Sequence, residues 1–529
     1  MPSARIASSK SLVRHVRVSY RRACHTVATQ VVLIVILILF GADALSAQIP
    51  LEPLSTGKYQ PGWQSFSTQY QVPDWFRDAK LGVRACWSAQ SVAEMGDDYA
   101  RNLYIKGEPA NVYHVGRFGD PATLGYKELI NAWTIDKWEP QKLVDLFQRA
   151  GARYVVAMAS DCDNFDLYDS QYQPWNSVKV GPKKDIVGSF AEATRKTGLK
   201  FGVSVGSARA WNYFEPAREL DARLPPAAGQ NTWWYGLDPQ DLYAQNHAPK
   251  AQASQPYMDR FYNRTADLIN RYYPDLLGFE DAVLPFGAGS EIGLRLVAHF
   301  YNSSLTFRRE PVLTTRELQT DVQRRSLVLD NDRLPMLRIN QYPWQENLFI
   351  SETIYRRGAQ YKSSGEIIHT LVDVISKNGN LLLNVPLRAD GSLDDAEQSL
   401  LDKLAEWMEI NAEAIHGTRP FGVFGEGPQV ATVAGRSSTQ PSPRYTSSDF
   451  RFVQKGPIVY VFVMQWPADG KLIIRNLPTN SPRLGVIASV QLLGSREALT
   501  FTQSREGLLL QLPPLKPCED VQVLKITPR

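Results

Sequence analysis

Three short stretches of this 529-residue chain place chemically capable polar side chains directly after apolar runs. They are Cys86-Trp87-Ser88 with Gly96-Asp97-Asp98-Tyr99 behind it, Asp161-Cys162-Asp163-Asn164-Phe165, and Glu280-Asp281 after Leu276-Leu277-Gly278-Phe279. A carboxylate such as Glu280 or Asp281 at the end of a buried strand suits a nucleophile or base, and a second carboxyl about 5 to 9 Å away would complete a glycosidase pair. Helix capping or pairing with an arginine explains the same residues equally well. Asp161, Cys162 and Asp163 mix hard carboxylates with a soft thiolate, and no nearby histidine or second cysteine completes a metal-ligand spacing. No metal is therefore expected at these residues. Trp87, Trp175, Trp211, Trp233 and Trp234 offer aromatic faces that suit stacking on sugars, although core packing is the usual role of any single Trp.

The elements that must position these groups are legible as alternating apolar runs and amphipathic stretches. Leu81 to Cys86 reads as a strand, followed by a helix near Pro140 to Ala150 and a strand over Arg153 to Ala159. A helix over Asp185 to Thr197 ends at Gly198 before the strand Leu199 to Val205. The helix Tyr257 to Tyr272 leads into Leu276 to Phe279, and helices near Ile292 to Leu305 and Ser363 to Ser376 precede the strand Leu381 to Val385. Buried strands alternating with helices imply parallel βα units, and their number favours a TIM-like (β/α) barrel with its chemistry at the C-terminal strand ends. From about Gly417 short alternating segments (Ile458 to Met464, Lys471 to Ile474, Val486 to Leu493, Leu508 to Leu512) are set between Gly-Pro and Ser-Thr stretches such as Arg436 to Thr446, and predict an antiparallel β-sandwich. The long segment Ser207 to Gln255 is expected to overhang the barrel mouth.

Composition excludes several classes. With 43% hydrophobic and 11% aromatic residues the chain is neither disordered nor collagen-like. Its net charge of +4 is concentrated in residues 1–47, where Arg5, Lys10, Arg14, Arg17, Arg21 and Arg22 face the single acid Asp43. Beyond residue 47 there are 52 basic and 53 acidic residues, so no nucleic-acid footprint remains. The basic start, the apolar run Val31 to Phe40 and the small residues up to Ala47 read as a secretory signal peptide, with an uncleaved anchor as the alternative. The expected organisation is a leader over 1–47, a barrel over 48–416 and a sandwich over 417–529. The mature chain is expected to be exported, periplasmic, extracellular or lysosome-like, and free of the membrane once the leader is cleaved.

Several motifs resemble glycoside hydrolase family 29, the α-L-fucosidases. They are Trp75-Phe76-Arg77-Asp78-Ala79-Lys80-Leu81-Gly82, Tyr99-Ala100-Arg101-Asn102-Leu103-Tyr104, Gly181-Pro182-Lys183-Lys184-Asp185-Ile186-Val187-Gly188 and Lys377-Asn378-Gly379-Asn380-Leu381-Leu382-Leu383-Asn384-Val385. The resemblance implies a retaining exo-glycosidase that releases fucose or a related sugar from glycans, with an Asp nucleophile, a Glu acid and no cofactor. Aligned from Pro274-Asp275-Leu276-Leu277 the nucleophile falls on Glu280, and aligned back from Pro285-Phe286-Gly287 it falls on Asp281, the preferred choice because it keeps the residue type. Glu346 and Glu352 are the candidate acids.

The departures from the family concern the sugar-contacting positions. Cys86-Trp87-Ser88 stands where His-Trp-Gly is usual, Asp97-Asp98 where Glu-Trp is usual, and Asp161-Cys162 where two histidines are usual. Cys86, Trp87, Asp97, Asp98, Asp161, Cys162 and Trp211 are the candidate sugar-binding residues. Two readings follow: a divergent glycosidase with a remodelled pocket, which is preferred, and a non-catalytic carbohydrate-binding relative. The resemblance also sets Cys86 and Cys162 before one ligand, so that a disulfide between them is a further expectation.

Overall fold

The computed structural model describes residues 50–332, 336–432 and 444–529, so the expected leader and most of the Arg436 to Thr446 stretch lie outside the described residues. Leu51–Arg529 forms one compact unit. Eight parallel strands close into a barrel in sequence order: β1 (Leu81–Cys86), β2 (Tyr154–Ser160), β3 (Lys200–Val205), β4 (Leu276–Ala282), β5 (Val312–Arg316), β6 (Val328–Asn331), β7 (Trp344–Phe349) and β8 (Gly379–Pro386). β8 pairs with β1 from Leu81 opposite Leu381 to Cys86 opposite Pro386, which completes the ring. The expected strands and helices appear within a few residues of their anticipated limits, and β5, β6 and β7 are additions.

The barrel interior is layered, as the alternation of strand side chains demands. At the bottom, Tyr154, Val156, Leu276, Val312, Val328 and Leu382 pack together with Phe76 and Ala79, which the short helix Asp74–Ala79 inserts as a plug. Gly82 belongs to this layer because a Cβ there would lie 2.2 Å from the Tyr154 ring. Above it the interior turns polar. Tyr154 donates to Gln345 Oε1 (2.7 Å), Gln345 donates to Asp330 (2.8 Å), Asn347 donates to the other Asp330 oxygen (3.1 Å), and Asn384 donates to Asn347. All these groups are buried, and each hydrogen bond offsets the cost of taking its partners out of water.

The helices covering the barrel begin where their sequences allow. Ser363 and Glu366 form a reciprocal cap for Ser364–Ser376, and Asp394 and Glu397 do the same for Asp395–Asn411. Beyond the barrel lie two antiparallel sheets. One runs β13 (Ile487–Leu492), β16 (Gln522–Pro528), β11 (Ile458–Val463), β10 (Phe450–Lys455), β9 (Arg419–Glu426), and the other β12 (Lys471–Ile474), β15 (Leu508–Gln511), β14 (Thr500–Gln503). Their inner faces share one apolar core that includes Phe450, Val461, Ile474, Leu508 and Leu524. Arg451 of β10 reaches back to Asp373 of the helix Ser364–Ser376 at 2.6 Å, joining sheet and barrel through a buried ion pair.

Candidate active site

A cavity of about 490 Å³ opens where the C-terminal ends of the barrel strands meet. Asp161 and Cys162 follow β2, Glu280 lies near the end of β4, Arg316 ends β5, Asp332 follows β6, Phe349 ends β7, and Asp97 and Asp98 come from the segment after β1. The short 3-10 turn Ser207–Arg209 after β3 brings Arg209 over it, and Asn212 and Tyr213 complete that side. Five of the eleven residues singled out in the sequence therefore line one cavity: Asp97, Asp98, Asp161, Cys162 and Glu280.

Glu280 is the electrostatic centre. Its carboxylate is hydrogen-bonded to Arg84 of β1, with Arg209 Nη2 at 3.6 Å and Arg316 Nη2 at 3.7 Å. Burial alone would push its carboxyl up, but Arg84, Arg316 and Arg209 overcome that and hold it at about 2. Asp161 has the opposite environment. Burial and the neighbouring charge of Glu280 push its carboxyl up, and Arg209 opposes them only in part. Arg209 Nη2 lies 3.7 Å from Asp161, which puts the two carboxylates within about 7 Å of each other. One acid is thus held ionised and its neighbour is driven toward the protonated form.

Asp281 is not part of the cavity lining. Strand alternation turns Glu280 to the side of Arg84 and leaves Asp281 off that face, with Oδ2 buried and unpartnered. Burial raises its carboxyl to about 7, against the charge of Arg209. The pairing of β4 with β5 slips between Gly278 and Ala282, so that four residue steps on β4 oppose two on β5 from Thr314 to Arg316. This bulge spans Glu280 and Asp281, the residues between which the two alignments differ. Just beyond it Val283 takes φ 64°, a conformation that β-branched residues rarely adopt. Thr315 of β5 holds the turn by donating to the carbonyls of Asp281 (3.1 Å) and Val283 (2.9 Å).

The other expectations divide. Glu346 sits on β7 between Gln345 and Asn347, both of which face Asp330 inside the barrel, so its side chain leaves on the opposite face, where it accepts from Asn331 at 2.6 Å. It is therefore not before the cavity, and burial lifts its carboxyl to about 8. Glu352 is near the rim but engaged, pairing with Arg356 at 2.5 Å and accepting the Asp97 amide at 3.2 Å. Asp97 in turn accepts the amides of Thr353 (3.2 Å) and Ile354 (2.7 Å).

Trp87 is a core residue, packed against Trp133 and Trp138 at ring separations of 5.1 and 5.3 Å. Its indole N–H donates to the Arg388 carbonyl at 2.8 Å. Trp211 has one face covered by the His247 ring, stacked at 3.9 Å, with Tyr257 tilted against it at 4.9 Å, and it does not line the cavity. Cys86 is buried below the cavity against Asn384 Oδ1, its thiol pushed up to about 11 by burial. Cys86 and Cys162 are both free thiols, which overturns the expected disulfide.

The residues that sequence reasoning missed are the three arginines. Arg84 carried a usable signal, since a charged residue in the middle of the buried run Leu81–Cys86 requires a buried partner. Arg209 and Arg316 carried none, because nothing local distinguishes them from solvated arginines. Among the described residues no group of three or more His, Cys, Asp or Glu side chains converges as a metal site does.

A family model described as Alpha-L-fucosidase matches residues 47–413, and a second, described as the Alpha-L-fucosidase C-terminal domain, matches residues 437–527. The tissue alpha-L-fucosidase of Rattus norvegicus is 27% identical over 496 residues, covering 91% of this chain and 96% of that protein. The plasma alpha-L-fucosidase of Pongo abelii is 25% identical and covers 89% of this chain and 94% of that protein. The crystal structure of Thermotoga maritima alpha-fucosidase superposes with a TM-score of 0.69 at 27% identity, covering 89% of this chain and all of that one. A closed parallel barrel with antiparallel sheets behind it, a carboxylate-lined cavity at its mouth and these full-length matches agree: the chain belongs to the alpha-L-fucosidase family of glycoside hydrolases.

Proposed function

We propose that this chain is a retaining exo-glycosidase acting on an α-L-fucoside or a related glycoside of a glycan, with Glu280 as nucleophile and Asp161 as acid and base. The observation that carries the assignment is the split between two neighbouring carboxyls, one held ionised by three guanidinium groups and the other pushed toward its neutral form. In the first step Glu280 attacks the anomeric carbon while Asp161 gives its proton to the departing glycosidic oxygen. Formation of the glycosyl ester removes the negative charge of Glu280. With that charge gone, the carboxyl of Asp161 falls, and Asp161 takes a proton from the water that cleaves the ester. The arginines stabilise Glu280 as the group that leaves in this second step.

Glu280 is preferred to Asp281 because it faces the cavity and Asp281 does not, and Asp161 is preferred to Glu346 and Glu352 on the same ground. The near-neutral chain beyond residue 47 suits a carbohydrate partner, and the basic-apolar leader over 1–47 supports export. No helix among the described residues is long and apolar enough to cross a membrane.

Turnover of an aryl α-L-fucoside, abolished by Glu280→Gln and slowed by Asp161→Asn, is the expected result. Full activity in Glu280→Gln would remove the assignment. The arginine cage itself favours the second reading, a carbohydrate-binding relative, because a carboxylate engaged by three cations has less freedom to attack. Sugar binding without turnover of any aryl glycoside would establish that reading.

A further inference from the structure

We propose that Gln90 selects the sugar in this cavity, its side-chain Nε2 donating to a hydroxyl oxygen of the bound sugar. The inference rests on the assignment of the cavity as the sugar subsite and adds a specificity-determining residue to it. Gln90 lies in the 3-10 turn Ala89–Ala93 after β1, is only 1% exposed, and lines the cavity. Its amide is fixed from one side: the backbone N–H of Ala100 donates to Oε1 at 3.0 Å and the hydroxyl of Tyr213 at 3.3 Å. A backbone N–H can only donate, so the atom facing Ala100 is the oxygen and the amide has one orientation. Nε2 makes no hydrogen bond among the described residues, and it is open to the cavity rather than sealed in the core. A donor held in place without an acceptor favours a ligand that brings one.

The rest of the lining makes that donor scarce. Asp97, Asp98, Asp161, Glu280 and Asp332 supply oxygens, and Arg209 and Arg316 already face Asp161, Glu280 and Asp332. Phe349 and Ile354 are apolar, Cys162 offers only a weak thiol donor, and Tyr213 spends its O–H on Gln90. Asn212 is exposed and Thr353 half-buried, which leaves Gln90 as the fully buried neutral donor of the wall. A sugar hydroxyl both donates and accepts. Its proton has several carboxylates to choose from, whereas its oxygen has this amide. The hydroxyl that meets Gln90 is therefore the one whose presence the cavity reads.

The test compares L-fucose with its 2-, 3- and 4-deoxy analogues by isothermal titration calorimetry on the full chain and on Gln90→Met. Gln90→Met is expected to weaken L-fucose and two of the analogues by about 5- to 50-fold. The third analogue, which lacks the hydroxyl that Nε2 serves, should bind the variant and the unaltered chain alike, because the pair is already broken. Equal weakening of all four sugars assigns Gln90 a purely structural role and overturns the proposal, as does L-fucose binding no better to the unaltered chain than to the variant. Gln90→Glu retains an oxygen for Ala100 and Tyr213 and decides the matter if Gln90→Met does not fold. Its L-fucose affinity relative to the unaltered chain should be low at pH 9, where the second oxygen only accepts, and recover toward pH 5, where the carboxyl takes a proton and donates again. A ratio that stays constant from pH 5 to pH 9 overturns the proposal. Because binding is read without turnover, the two failures separate. The deoxy-sugar pattern with no hydrolysis of any aryl glycoside removes the hydrolase reading alone, and efficient α-L-fucoside hydrolysis without that pattern removes this proposal alone.

Discussion

Replacing Arg84 with methionine keeps an unbranched apolar stem in the barrel interior and removes the guanidinium bonded to Glu280. The carboxyl of Glu280 stands at about 2 instead of its ordinary 4.5, a difference of roughly 3 kcal/mol at about 1.4 kcal/mol per pKa unit. That figure is already net of burial, which acts in the opposite direction. Arg84 is the largest of the three favourable contributions, so its loss should return the carboxyl by about 1 to 2 units. Glu280 in the native chain is a group with a depressed folded pKa: its contribution to stability is complete above about pH 4.5 and is lost as pH falls toward 2. The acid limb of kcat/KM on an aryl α-L-fucoside should therefore lie below pH 4 in the unaltered chain and move up by about 1 to 2 units in Arg84→Met. Urea unfolding at pH 7 should show a loss of about 3 kcal/mol, because the buried Glu280 loses its hydrogen-bonded guanidinium and keeps Arg209 and Arg316 only at 3.6 and 3.7 Å. An acid limb that stays in place in a folded Arg84→Met protein would refute the reasoning, since Arg84 would then not set the state of Glu280.

Asp281 gives the opposite sign. Its carboxyl is raised from 3.8 to about 7, so the folded state holds the proton more tightly and stability falls as pH rises from 4 to 7. Asp281→Asn should therefore raise the unfolding free energy more at pH 8 than at pH 5, by roughly 2 to 4 kcal/mol. An equal change at both pH values would contradict this. Arg264 and Asp166 form a buried pair at 2.6 Å, and Arg264→Met should cost about 3 to 5 kcal/mol in urea unfolding, against under 1 kcal/mol for the exposed pair partner in Lys142→Met. Gly96 takes φ +79°, and a Cβ there would meet Glu352 Oε2 at 1.8 Å. Gly96→Ala should cost about 1 to 3 kcal/mol and lower kcat/KM by displacing Asp97, and full activity with unchanged Tm would refute the close approach. Alkylation of the unfolded, unreduced protein followed by mass mapping should label Cys86, Cys162 and Cys518 in full.

The parts of the barrel that the sequence discloses are those whose buried faces are apolar. β1, β2, β3, β4 and β8 read as near-continuous hydrophobic runs, as strands covered on both sides do. β6 and β7, Val328-Leu329-Asp330-Asn331 and Trp344-Gln345-Glu346-Asn347-Leu348-Phe349, do not, because Asp330, Gln345 and Asn347 spend their inward positions on one hydrogen-bond network. Such strands look like polar loop until their partners are known. The same holds for the site. Asp97, Asp98, Asp161, Cys162 and Glu280 could be found from their place after apolar runs. The choice between Glu280 and Asp281 could not, since it depends on how β4 meets β5. Trp87 and Trp211 misled because composition cannot tell an open aromatic face from one covered by Trp133 or His247.

The slip between β4 and β5 means that the identity of the cavity-facing acid is a matter of counting and not of chemistry. Two carboxylates stand side by side, and the number of residues between Gly278 and Ala282 decides which of them meets the three arginines. A single deletion in that short span would exchange a longer acid for a shorter one at the centre of the cavity while leaving both residues, and every strand of the barrel, in place. Such a chain would change the reach of its reacting group by one methylene, as Glu280→Asp does, while keeping a glutamate beside it on the other face of the strand.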